Sequence, residues 1–186
     1  MGPVRKALAG AFVVMTLAGC GAGTDVLRPA VVAPPSVAVS ATPSGQAPCV
    51  KGVLITVGEV DGAMGLRAVG ITVRNCGRDA YTLHGYPALE VLDAGGRRVD
   101  VEVRHGTEHV HRIERYDGPP ASITLARGEE AGAVLLWRNV TTVAETAVHG
   151  EYLRVATGPG RTPQLLALTV DAGNTGAVAV SPWVRE

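Results

Sequence analysis

The sequence is poor in lysine: Lys6 and Lys51 are the only two, and the rest of its 17 basic residues are arginines. Acids also number 17, so the formal charge is zero, and no basic stripe runs along any stretch. Proteins that grip nucleic acid neutralise phosphates with clustered Arg and Lys, so nucleic acid is excluded as a partner. Residues for familiar chemistry are missing as well. Ser36, Ser40, Ser44, Ser122 and Ser181 include none in a G-x-S-x-G elbow, and no glycine-rich phosphate loop is present. The pairs Glu129–Glu130 and Asp100–Glu102 read as surface acids, not as a glycosidase pair. There is no internal repeat, no C-x-x-C and no long helical period. No catalytic residue is assigned, and the chain is expected not to be an enzyme. A hydrolase stays open only because acids and histidines coexist.

What is present begins with an address. Arg5 and Lys6 form a positive start, and Ala7 to Leu17 is an apolar stretch of 11 residues. A helix needs about 20 residues to cross a bilayer, so this stretch reads as a signal peptide and not as a span. Leu17-Ala18-Gly19-Cys20 follows, with small residues for a peptidase and a thiol for a diacylglyceryl group. Residues 1–19 are therefore expected to be a lipoprotein signal peptide, and Cys20 the lipidation site. Two or more acyl chains anchor stably where one binds only marginally. The expected location is the outer face of the cytoplasmic membrane, with the membrane engaged through the lipid. Removal of Arg5 and Lys6 would leave two more acids than bases.

Residues 20–48 hold the lipidated cysteine and a run rich in Pro, Ala and Ser with almost no charge. Such a run favours extended or flexible chain and is expected to be a disordered linker reaching roughly 30 Å.

From Cys49 to Glu186 the pattern changes to alternation. Val53, Ile55 and Val57 share one face, as do Val69, Ile71 and Val73, and Val99, Val101 and Val103. Ile123 and Leu125, Leu153 and Val155, Leu166, Leu168 and Val170, and Val178 and Val180 continue it. Period two is the strand signature. Val134 to Trp137 is continuously apolar and predicts a buried central strand with Trp137 in the core. Trp183, after Pro182, is placed at a rim. Turn residues at 93–96, 127–129, 158–160 and 173–174 separate the runs, and residues 141–150 are left as a short helix or a loop. About eight short strands with frequent turns predict an all-β, antiparallel sandwich over 49–186.

Cys49 and Cys76 remain once Cys20 carries lipid, and in an oxidising compartment a disulfide is the expected state. Closing that loop would stabilise by roughly 3 to 4 kcal/mol. The alternative is two free thiols for metal or redox chemistry. The one suggestive polar cluster is His105, Glu108, His109 and His111. In a strand, His109 and His111 would share a face about 7 Å apart, and imidazoles suit copper and zinc. His105, His109 and His111 are thus the candidate metal ligands, set against histidines that merely face water, and no other cofactor is expected. His84 reads as structural or surface.

Asn75-Cys76-Gly77, Tyr81 to Pro87, Leu92 to Gly96, Leu125 to Glu129, Leu136 to Asn139 and Ser181-Pro182-Trp183 together look familiar. They resemble the secreted and lipoprotein domain called domain of unknown function 4232, common in high-GC Gram-positive bacteria. Many members place a cysteine where this chain has Tyr81, whereas here Cys76 comes five residues earlier. The resemblance implies an immunoglobulin-like antiparallel sandwich outside the cell and supplies no catalytic residue. The expected role is a non-enzymatic binding module for an unidentified envelope protein or glycan. The alternative is an envelope copper- or zinc-binding domain using residues 105–111.

Overall fold

Valine, isoleucine and leucine recur at every second position because each strand has one face to bury. In the computed structural model, which describes residues 48–186, this yields twelve strands. In chain order they are β1 (Val53–Val57), β2 (Asp61–Ala63), β3 (Leu66–Asn75), β4 (Tyr81–His84), β5 (Ala88–Leu92) and β6 (Glu102–His105). They continue as β7 (Ser122–Leu125), β8 (Glu130–Arg138), β9 (Val148–Ala156), β10 (Gln164–Gly173), β11 (Ala177–Val180) and β12 (Val184–Arg185). The signal peptide, Cys20 and the linker up to residue 47 lie outside the described residues.

The large sheet runs β1-β3-β8-β11-β6, with β2 added to β3 and β12 to β8. A second sheet runs β10-β9-β5, and β4 pairs with β7. The inward faces of these sheets meet in one core, so the fold is an all-β sandwich. Val53, Ile55, Ile71, Leu135 and Trp137 from the large sheet pack with Leu83, Leu125, Val91, Leu153 and Val170 from the others. Every strand pairing among the described residues is antiparallel except β6 with β11, which is parallel. The sandwich is antiparallel as expected, and that one edge pairing is the departure from it. The chain comes back briefly beside β5 at Arg98 and Val99, then leaves it and enters β6 at Glu102.

β8 is central, as its continuous apolar run predicts. It pairs with β3 on one side and with β11 and β12 on the other. Its inward side chains join the main core, while Val134 and Leu136 face outward and are nonetheless buried. Val110, Ile113 and Tyr116, from the connection between β6 and β7, cover them together with Ala179. Burying a Val or Leu is worth about 1.5–3 kcal/mol, enough to hold this long connection against the sheet. Buried Thr107 helps shape it, its hydroxyl oxygen accepting the Ile113 amide at 3.2 Å.

Cys49 and Cys76 are bonded, with Cα atoms 6.1 Å apart. The bond joins the residue before β1 to the end of β3. Next to it the buried Asn75 donates its side-chain amide to the carbonyls of Asp79 and Leu125, at 2.8 and 2.9 Å. Its oxygen accepts the Gly77 amide at 2.9 Å. Trp183 is no rim residue: it is buried in the core, and its indole donates to the Thr157 carbonyl at 3.0 Å. Residues 141–150 hold a single 3-10 turn at Ala144–Thr146 and then enter β9.

Candidate functional site

Gly85-Tyr86-Pro87 turns the chain from β4 into β5, and β6 ends at His105. These two points meet. The Tyr86 and His105 rings stack with centroids 4.2 Å apart and planes only 4° from parallel. Backbone bonds tie down the residue beside each ring. The Gly85 carbonyl accepts the Trp183 amide at 2.9 Å, and Gly106 donates to the Val180 carbonyl at 2.9 Å. His105 is exposed and Tyr86 half-buried, so the pair forms a ridge that reaches solvent.

Two clefts share the Tyr86 ring, and His105 lines the larger of them. One, of about 240 Å³, is lined by Tyr86, Glu108, Arg112, Tyr116, Asp117 and Pro182. The other, of about 330 Å³, is lined by Tyr86, Pro87, Leu89, Val103, His105 and Pro159. Pro119 and Pro120 complete the rim of the first. Proline fixes its own φ and donates no hydrogen bond, so these walls are stiff and poor in donors. Ligand pockets for whole small molecules typically hold about 300–1,000 Å³ and enclose their guest. One cleft falls below that range and the other just inside it, sized for side chains or one monomer unit each.

The first cleft is charged. Arg112 Nε lies 3.2 Å from Asp117 Oδ2. Glu108 folds its carboxylate back over Gly106, where a Cβ would overlap it. Gly106 also has φ 104, a conformation that other residues rarely adopt. Glycine there is needed both for the turn out of β6 and for the room that Glu108 occupies. Further down β6, Glu102 accepts from the Arg104 guanidinium at 2.7 Å. That bond holds the Glu102 carboxyl below its ordinary range and raises Arg104.

The histidines singled out in the sequence are not gathered together. His105 is in the ridge. His109 ends a 3-10 turn, Thr107–His109, with Nε2 3.7 Å from Glu108 Oε1, and His111 lies exposed beyond it. The strand that would have put His109 and His111 on one face is therefore corrected to a turn and loop. The physical reason is the apolar cover: Val110, between them, is drawn down onto the sheet. Among the described residues no group of three or more His, Cys, Asp or Glu side chains is placed to hold a metal ion. His84 is exposed at the end of β4.

Nothing local in the sequence singles out Tyr86, Arg112, Tyr116 or Asp117 as site residues. The Gly-Tyr-Pro turn was visible, but its meeting with His105, 19 residues later, is a tertiary contact without a local signal.

No curated protein and no solved structure matches the chain. Residues 49–184 match the family described as Domain of unknown function (DUF4232). That span takes in β1 to β11 with the disulfide and the ring pair, and the chain belongs to this family.

Proposed function

We propose that this chain is a non-enzymatic binding module of the cell envelope whose site is the Tyr86–His105 ridge with its two clefts. The stacked ring pair carries the reading. A stacked pair with one exposed ring, beside two proline-walled clefts on loops of a rigid scaffold, is an arrangement suited to recognition. The module is held at the outer face of the cytoplasmic membrane by lipid on Cys20, with residues 21–48 as spacer. The Leu17-Ala18-Gly19-Cys20 run supports that part.

The test is site-directed photo-crosslinking on living cells, with the photoreactive residue at Pro159 beside the ridge or at Met64. Met64 is 98% exposed in the turn between β2 and β3 and lines neither cleft. Saturable adducts from position 159 that are absent from position 64 and vanish on His105→Ala support the site. Equal adducts from both positions, or none from 159, overturn it. Release of a Cys20→Ser chain from the membrane fraction checks the anchor separately.

A further inference from the structure

The two clefts differ in chemistry, and the difference points to a class of ligand. Apart from the two rings, the larger one is walled by Pro87, Ala88, Leu89, Val103 and Pro159, all apolar side chains. Beyond the two rings these walls offer a sugar's hydroxyls no side-chain donor or acceptor, and a desolvated hydroxyl without a partner is costly. An aliphatic or pyrrolidine side chain loses nothing. The smaller cleft holds Glu108, Asp117 and Arg112, so its formal charge is one unit negative. Since Arg112 already faces Asp117, the Glu108 carboxylate is the group left for an incoming cation. Its nearest cationic candidate in the fold is His109, at 3.7 Å. The rings of Tyr86 and Tyr116 in the same cleft offer faces to a cation as well.

We infer that the double cleft takes an extended, proline-containing peptide with a basic side chain, the apolar residues in the larger cleft and the cation in the smaller. This rests on the reading of the ridge as a binding site. Polyproline II chain has three residues per turn and no internal hydrogen bonds. It can lay two side chains of each turn on a surface while the third faces water, which suits two clefts that adjoin at one ring. Its stiffness means that little ordering is required on docking, and aromatic-lined grooves are its usual receptors. The stiff proline rim contributes the same preorganisation from the protein side.

The full chain in mild detergent, titrated into a fluorescein-labelled nonapeptide of alternating Ala and Pro with one Arg near its end, tests this by anisotropy. Saturable binding is expected. His105→Ala, which removes an exposed ring, should weaken it about tenfold. Glu108→Gln combined with Asp117→Asn should weaken it about threefold, yet leave the same peptide with Ala in place of Arg unaffected. A peptide with Gly in place of Pro should bind more weakly than the parent. Tyr86→Leu serves as a second ring variant, and each variant is compared at an unfolding midpoint matching the wild type.

Absence of saturable binding overturns the inference. So does binding that ignores the ring variants, or preference for a peptide with Glu in place of Arg. Persistence of the position-159 adducts on cells while the peptides fail would leave the site standing and remove this ligand class. Saturable binding of a soluble cell-wall glycan in the peptide's place would do the same.

Discussion

The indole N–H of Trp137 donates to Asp171 Oδ1 at 2.7 Å, joining the central strand of the large sheet to β10 in the facing one. The other carboxylate oxygen accepts from the Asn139 side-chain amide, and Arg67 Nε stands 4.0 Å away. Trp137 is fully buried, so its N–H has no water to turn to. Asp171→Ala should cost about 1–3 kcal/mol, read as a lower urea midpoint. Asp171→Asn keeps an acceptor and should recover most of that loss. Equal midpoints for the wild type and the alanine variant would show that the bond contributes nothing.

A second cross-sheet tie is made by a side chain imitating backbone. Gln164 accepts the Ile55 amide and donates to the Val53 carbonyl, both at 3.2 Å, along the free edge of β1. An unpaired strand edge is a template for another chain. Gln164→Leu should lower stability by about 1–2 kcal/mol and also shift sedimentation toward larger species. Stability loss without any shift would mean that the amide ties the sheets but does not guard the edge.

Reduction of the Cys49–Cys76 bond frees a loop with a sequence separation of 27. On the chain-entropy account this costs about 3–4 kcal/mol. Dithiothreitol, or the double variant Cys49→Ala with Cys76→Ala, should lower the unfolding midpoint accordingly. Asn75 still holds the turn after β3 in either case, so near-ultraviolet dichroism of the tryptophans should be preserved.

Acid sensitivity has a specific source. Glu129 accepts the Ala126 amide at 2.8 Å and the Arg185 guanidinium at 2.9 Å. The backbone bond first, and Arg185 second, hold its carboxyl below the ordinary 4.5. A carboxylate lowered in the folded state adds stability above its unfolded value and loses it as pH falls through the folded one. Asp93, held down chiefly by the Arg97 backbone amide, has the same sign. Urea midpoints followed from about pH 6 to about pH 3 should fall, and Glu129→Gln should flatten the part of the fall below about pH 4.5. An unchanged slope in that variant would assign the acid limb elsewhere.

Much of the sandwich was legible because most strands bury one face, and period two survives in a single sequence. Ile55 and Val73 are core residues for that reason. Asp61–Ala63 was missed because all three residues of β2 are exposed, leaving no alternation to see. The parallel meeting of β6 with β11 was missed because pairing partners far apart in sequence leave no mark on either strand. The continuous run at Val134–Trp137 did signal that both faces of β8 are covered. It could not say that Val110, Ile113 and Tyr116 would do the covering. Under that cover His109 ends a turn and His111 lies in the loop beyond it, while His105 stacks on Tyr86. The segment marked in the sequence does reach the candidate site, through His105, but His105, His109 and His111 are not gathered around one point.

The bond from Cys49 to Cys76 also decides how the fold meets mechanical tension. A pull on the chain ahead of residue 49 would, without it, peel β1 from the free edge of the sheet one hydrogen bond at a time. With the bond in place, tension passes over β1 to the end of β3, which is paired with β8 along nine consecutive residues, Leu66 to Arg74. The first strand is left slack, and the load falls on the middle of the sheet, where many bonds share it.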